Sequence, residues 1–120
     1  DVASHTRTHR VLQTLPSDRL EDELLGSRKI LERELGAEVT AVSYPVGRAV
    51  GRDSRLRTAV RDAGYKLGFS NATGVQTLGS SFDKYDISRF SMEWGMASEA
   101  LRSLLAMPGL ANVNPDNITP

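Results

Sequence analysis

The alternation of strand-like and helical segments constrains the fold of this chain most strongly. Strand-like segments span residues 1–4, 39–44, 65–69 and 85–90, and the second of them consists mostly of β-branched or small residues. Amphipathic helical patterns span residues 17–36, 53–64 and 97–106. Strands that alternate with helices usually pair in parallel, because each helix carries the chain back across the sheet. We therefore expect an α/β fold with its chemistry at the carboxyl ends of the strands.

Composition excludes several classes of function. The chain has 120 residues, and its 15 basic residues balance its 15 acidic residues, so no excess charge favours nucleic acid as a partner. It has no cysteine, which excludes thiolate ligands, thiol nucleophiles and disulfides. No apolar run reaches the ~18 residues of a transmembrane segment. Because residues 1–4 resemble the end of a strand, we expect the chain to be the later part of a longer domain.

The two histidines, His5 and His9, lie four residues apart, directly after the first strand-like segment. Imidazole is a common zinc ligand, and this spacing would place both rings on one face of a helical turn. Thr6 stands where a zincin has its glutamate, so the motif contains no general base. If only the H-x-x-x-H spacing is considered, two hydrogen-bonded or solvated histidines without a metal are the commoner explanation. The position after a strand end favours a metal site.

The stretch "SHTRTH" at 4–9 resembles the second motif, H-[ST]-x-x-H, of the polysaccharide deacetylases of NodB homology, or carbohydrate esterase family 4. The stretches "LEDEL", "VSYPVGR", "AVRDAGYKLGFS" and "KYDISRF" follow in the family's order, so the resemblance covers about residues 1–95. It implies that residues 1–110 are the C-terminal portion of a deacetylase domain and that 111–120 are a polar tail. The implied fold is part of a distorted (β/α) barrel, with the C-terminal β/α units only.

The resemblance also implies an activity. Members of the family remove acetyl groups, mostly from N-acetylated sugars, with a divalent metal that is usually zinc and that activates water. His5 and His9 would be two of three metal ligands, and Thr6 would support their loop through a hydrogen bond. The chain would then belong to a metal-dependent hydrolase whose partner is an acetylated carbohydrate. By the resemblance, we expect the protein to act in the cell envelope or outside the cell.

The segment "YPVGR" resembles the family's third motif, R-x-P-Y-G, with two departures. Ser43 stands where the family has arginine, and Val46 stands where it has tyrosine. The backbone N–H of Val46 could still donate to an oxyanion, which is part of the tyrosine's role in the family. The loss of the arginine has the greater consequence for catalysis, because in the family this arginine orients the catalytic aspartate. The resemblance assigns substrate binding to Tyr44, Pro45 and Arg48.

Arg89 is the first candidate to replace the missing arginine, with Asp86 as its partner, and Arg48 is the second. An ordinary surface ion pair is an equally good explanation of Asp86 and Arg89. For Tyr44, a core aromatic at a strand end is the slightly favoured alternative. For Tyr85 and Trp94, packing is favoured over a platform that stacks on sugar rings.

Two family motifs are not found in this sequence. The first, T-F-D-D-G, supplies the catalytic base and the third metal ligand, and no Asp-Asp pair occurs here. The other is a Leu-x-His that supplies the general acid. We therefore expect the chain alone to be inactive, as the later part of a deacetylase. A glycan-binding relative without catalysis and an unrelated α/β domain with an accidental histidine pair remain open.

Overall fold

A parallel sheet forms the centre of the computed structural model, which describes residues 1–46, 50, 53–75, 79, 82–90 and 94–108. Its strands, in spatial order, are β1 (Ala41–Ser43), β2 (Leu67–Thr73) and β3 (Ile87–Arg89). Both strand pairs are parallel, and Ser4 adds an isolated parallel bridge to Val42. The α/β class with parallel strands is confirmed. A barrel is not shown, because the three strands of the described part form an open sheet.

The helices follow the apolar periodicity of the sequence. They are α1 (Ser17–Glu21), α2 (Ser27–Leu35), α3 (Ser54–Asp62) and α4 (Ser98–Ala106). A π-helical turn, Asp22–Gly26, joins α1 to α2, so the predicted long helix is continuous but contains a turn that the periodicity did not predict. Gly36 ends α2 with a φ of +64°. None of the helices in these segments has the length and apolar character needed to cross a membrane.

The strand β2 is longer than the sequence predicts. The strand-like segment of the sequence ends at Phe69, and the polar residues after it predict a loop, but residues 70–73 continue the strand. Phe69 lies opposite Ile87 and Thr73 lies opposite Arg89. The pairing therefore advances by four residues along β2 but by only two along β3. Such an irregularity lets polar residues with weak strand propensity remain in a sheet, because pairing with the neighbouring strand compensates for local preference.

The core lies between the sheet and the first three helices. Its buried apolar side chains are Leu12, Leu20, Leu24, Val39, Val42, Tyr44, Val50, Leu56, Val60, Ala63, Tyr65 and Tyr85. The amphipathic patterns at 17–36 and 53–64 predict that Leu20, Leu56 and Val60 face inward, and their exposure of 0% confirms this. The first pattern also predicts that Leu35 lies on the same apolar face as Leu20, but Leu35 is 47% exposed because it lies in the last turn before Gly36. The helix α4 has no buried residue.

Arg28 connects α2 to two other parts of the fold. Its Nε donates to the carbonyl of Val39 (3.0 Å), and its Nη1 donates to the carbonyl of Ala63 (2.9 Å). It also pairs with Glu32 at 2.9 Å. Gly64 has a φ of +86°, and a Cβ there would lie 1.9 Å from Arg28 Nη1. A side chain at residue 64 would therefore break the contact between Arg28 and the end of α3.

We predict that Gly64→Ala destabilises the fold more than Gly36→Ala. Both glycines have positive φ, which costs other residues about 1–2 kcal/mol. Nothing lies within 4 Å of a Cβ at Gly36, so its variant should lose only that strain energy. Gly64→Ala should lose about 1.5–3 kcal/mol more, the usual worth of a hydrogen bond from a charged donor. Urea unfolding of both variants measures the difference, and equal losses would contradict the account.

Candidate functional site

The histidine loop leaves the sheet beside the end of β1. The backbone N–H of Ser4 donates to the carbonyl of Ala41 (2.9 Å), and the N–H of Ser43 donates to the carbonyl of Ser4 (2.8 Å). His5 therefore emerges next to Ser43, at the carboxyl end of the parallel strands. This is the edge at which parallel α/β sheets usually bind their ligands.

A tight loop, rather than a helical turn, brings the two histidines together. Thr6 and His9 have φ values of +66° and +58°, in the left-handed region that these residues seldom adopt. Residues 5–9 therefore do not form the helical turn that brings the rings of many H-x-x-x-H pairs together. The two imidazole centroids are nonetheless 4.9 Å apart, with the ring planes at 67°. Both side chains are exposed, so their remaining ring nitrogens are accessible to a ligand.

The His5 ring has a defined orientation. Its Nδ1 lies 2.7 Å from the carbonyl oxygen of Ser43. Because a carbonyl can only accept, Nδ1 must carry the proton, and in the neutral ring the lone pair is then on Nε2. Metal-binding histidines commonly have this arrangement, in which one ring nitrogen donates to a carbonyl and the other binds the ion.

Thr6 lies between the two histidines and has hydrogen bonds on both sides. Its backbone N–H donates to the Ser4 hydroxyl (3.3 Å), and its own hydroxyl accepts from the backbone N–H of His9 (3.2 Å). These bonds connect the strand end to the far side of the loop. The family motif has serine or threonine at this position, and here the Thr6 hydroxyl closes the loop.

Glu23, in the π-helical turn, binds the middle of the same loop. It is 6% exposed, and its Oε2 accepts from the backbone N–H groups of Arg7 (2.9 Å) and Thr8 (2.8 Å). Its Oε1 accepts from the Thr8 hydroxyl. Burial alone would raise the pKa of Glu23, but these hydrogen bonds favour the carboxylate and hold its pKa below the ordinary value. The sequence pattern did not single out Glu23, although a carboxylate beside Leu24 on the buried face was a usable signal.

A buried cluster of hydroxyls supports the strand end that precedes His5. The hydroxyls of Ser4 and Ser27 are 2.9 Å apart, and both side chains are buried. The Ser27 hydroxyl also lies 2.7 Å from the carbonyl of Glu23, and the Tyr65 hydroxyl donates to the carbonyl of Leu24 (2.9 Å). The π-helical turn is thereby linked both to the strand end and to the loop.

Arg89, at the end of β3, reaches the same edge of the sheet. Its Nη2 donates to the carbonyl of Tyr44 (3.0 Å) and to Asn71 Oδ1 (2.9 Å), and its Nη1 donates to the Ser43 hydroxyl. Within the described residues, these partners do not include Asp86, the partner we expected. The Oδ1 of Asp86 instead accepts from the backbone N–H of Val50 (3.1 Å).

Ser43 connects the histidine loop to Arg89. Its carbonyl accepts from His5, and its hydroxyl accepts from the Arg89 guanidinium. The side chain of Asn71, from the irregular part of β2, fixes the other side of the guanidinium. Neither Ser43 nor Asn71 was predicted as a site residue. Ser43 lies in the strand-like segment 39–44 and Asn71 lies just beyond the segment 65–69, which was the available signal.

The residues predicted to bind substrate lie in different environments. The Tyr44 side chain is 2% exposed, and its hydroxyl donates to the carbonyl of Tyr85 (2.9 Å), which matches the alternative of a core aromatic. Burial raises the pKa of Tyr44 far above its ordinary value, and nearby carboxylates add to this effect. Pro45 is also buried, whereas Val46 is 43% exposed. Arg48 lies outside the described residues.

The two aromatic residues left open by the sequence differ in exposure. Tyr85 is 8% exposed and belongs to the core, so the packing prediction is confirmed for it. Trp94 is fully exposed, so the packing prediction is wrong there. Exposure leaves the indole ring accessible to a ligand without identifying one.

The described residues contain two adjacent candidate metal ligands, His5 and His9. No group of three or more histidine, aspartate or glutamate side chains in these segments is arranged to hold an ion. His5 and His9 provide two adjacent imidazoles, and the Ser43 carbonyl fixes the donor atom of the first. The geometry fits two ligands of a set and leaves the rest to other residues.

Sequence comparison identifies the family. The model of the family "Polysaccharide deacetylase" matches residues 1–68, more than half of the chain. YxkH of Bacillus subtilis (strain 168), a proposed polysaccharide deacetylase, is 27% identical over 99 residues, which cover 82% of this chain and 34% of that protein. The chain belongs to the polysaccharide deacetylase family, whose members are hydrolases. It spans about a third of the length of this relative.

Solved structures show the same fold. The polysaccharide deacetylase BC0361 from Bacillus cereus matches with a TM-score of 0.72 and 27% identity, over 86% of this chain and 31% of that one. The Streptococcus pyogenes deacetylase PplD, in complex with acetate, matches with a TM-score of 0.71 and 23% identity, over 84% and 42%. The strand and helix arrangement described above is therefore shared with deacetylases whose chains are two to three times as long.

Proposed function

We propose that this chain carries the histidine part of the active site of a metal-dependent deacetylase. His5 and His9 would bind a divalent cation, with zinc as the expected ion. The observation that carries the proposal is the hydrogen bond from His5 Nδ1 to the Ser43 carbonyl, which directs the Nε2 lone pair outward. The short distance between the two imidazole rings supports it further.

The proposed substrate is an acetylated carbohydrate, as family membership suggests. Acetate, which is bound in the PplD structure, is the product that deacetylation releases. A cation held by the histidines would supply Lewis acidity, which makes water nucleophilic near neutral pH and polarises a carbonyl. The exposed edge of the sheet around His5 and Val46 leaves room for such a substrate to approach.

Other residues of this chain would have supporting roles. The Arg89 guanidinium, fixed by Ser43 and Asn71, would orient a carboxylate in place of the family arginine. The backbone N–H of Val46 would stabilise an oxyanion. The resemblance assigns the third ligand and the general base to aspartates of a motif that this sequence does not contain. We therefore propose that these 120 residues alone do not hydrolyse substrate.

Zinc titration tests the metal ligands. We predict that His5→Ala and His9→Ala each weaken zinc binding by the full-length natural protein more than about 100-fold, since loss of a residue that only supports a ligand already costs about 10- to 100-fold. Arg10→Ala is a matched control, because Arg10 is exposed and adjacent to His9. Competition with a chromophoric chelator measures the affinities. Unchanged zinc affinity in either histidine variant would refute the assignment.

Acetate release tests the catalytic part of the proposal. We expect no turnover of chitooligosaccharides by the 120-residue chain, because two imidazoles bind zinc weakly and the general base is not among them. Turnover by this chain would contradict the proposal.

The non-catalytic alternative rests on the departures at Ser43 and Val46. A full-length natural protein that binds chitooligosaccharides without releasing acetate would favour this glycan-binding relative. Acetate release by that protein would favour the enzyme.

A further inference from the structure

Glu23 is a buried carboxylate whose hydrogen bonds go to the loop between the two histidines. A buried charge is costly unless it is paired or hydrogen-bonded, and this one has three donors, from Arg7 and Thr8. The side chain leaves the helix at the π-helical turn, a feature often found next to functional sites. The carboxylate therefore fills a defined acceptor site beneath the loop.

The loop needs support from outside itself. Thr6 and His9 both have positive φ, and the segment has no helical hydrogen bonds that would hold this conformation. Inside the loop, the hydrogen bond from His9 N–H to the Thr6 hydroxyl is 3.2 Å long. The surface ion pair of Arg7 with Asp22 is about half exposed and adds little. The bonds to Glu23 are the contacts that join the middle of the loop to the buried core.

We propose that Glu23 is a positioning residue for the metal-binding pair His5 and His9. By holding the backbone of Arg7 and Thr8, it keeps the two imidazoles adjacent before an ion arrives. The inference rests on the proposed function, because it takes the histidines to be metal ligands. The hydrogen bonds of Glu23 go to the residues between the histidines. Glu23 would therefore change the zinc affinity indirectly, by fixing the conformation of the loop.

Three variants of the full-length natural protein test this role. Glu23→Ala should weaken zinc binding about 10- to 100-fold, the usual cost of losing a residue that orients a ligand. Glu23→Gln should stay within about fivefold of the wild type, because its amide oxygen can accept from both backbone N–H groups and its amide nitrogen can donate to the Thr8 hydroxyl. Glu21→Gln, an exposed change two residues away, is the charge-matched control and should have no effect.

The pattern across the variants distinguishes positioning from charge. If only the negative charge mattered, Glu23→Gln would lose as much zinc affinity as Glu23→Ala, and that result would overturn the proposal. A folded Glu23→Ala variant with an affinity within about twofold of the wild type would also overturn it. Should Glu23→Ala not fold, Thr8→Val removes one hydrogen bond at an exposed residue. It should weaken zinc binding about three- to tenfold, the ordinary net worth of one hydrogen bond, and no change would overturn the proposal.

A metal-free measurement separates this proposal from the proposed function. The amides of Arg7 and Thr8 should exchange with solvent at least about tenfold faster in Glu23→Ala than in the wild type, while Glu23→Gln keeps their protection. A wild-type protein that binds no zinc would refute the metal site itself. Faster exchange in Glu23→Ala would then still show that Glu23 holds the loop, whereas unchanged exchange would refute that role directly.

Discussion

Two backbone hydrogen bonds between Ser4 and β1 determine the geometry of the whole site. They run from Ser4 N–H to the Ala41 carbonyl and from Ser43 N–H to the Ser4 carbonyl. Because they hold the chain parallel to β1, His5 leaves the sheet beside the last residue of that strand. Without this register, neither the His5 hydrogen bond to Ser43 nor the closeness of the two rings would follow. The placement of the two histidines therefore depends on a strand contact of one residue.

Support for the site comes from parts of the chain that are distant in sequence. Glu23 and Ser27, on one continuous helix, hold the loop and the strand end, and both are buried. Arg89, the last residue of β3, joins that strand to the end of β1 through Ser43 and Tyr44 and to β2 through Asn71. Groups placed on regular elements hold a constellation more precisely than groups placed on loops. Here, the histidines lie on a loop, and hydrogen bonds to Glu23 tie that loop to a helix.

Local sequence signals predicted the local features well. Apolar residues at helical spacing located the helices, and the predicted spans 17–36 and 53–64 agree with the end of α2 at Gly36 and the cap of α3 at Asp53. The histidine pair was found because it follows a strand-like segment and matches an ordered family motif. These features depend on residues close together in the chain, so propensity and spacing are sufficient to detect them.

Features that depend on distant partners were not predicted. The polar end of β2 is a strand because it pairs with β3, and the acceptor of the Tyr44 hydroxyl is the carbonyl of Tyr85, 41 residues away. In the sequence, Glu23 is one of several acidic residues near the start of the predicted helix at 17–36, and its residue type does not distinguish it from them. Only the loop that folds onto it, 15 residues earlier in the chain, gives it a role. Trp94 was assigned to packing by its residue type, and no neighbour covers it in the described structure.

Anomalous diffraction at the zinc edge, from crystals of the full-length natural protein, is the most direct test of the account. We predict one zinc peak with His5 Nε2 and a ring nitrogen of His9 both at about 2.0–2.1 Å, and with the His5 Nδ1 hydrogen bond to Ser43 intact. An ion bound away from both histidines, or bound to His5 through Nδ1 in place of the Ser43 carbonyl, would contradict it.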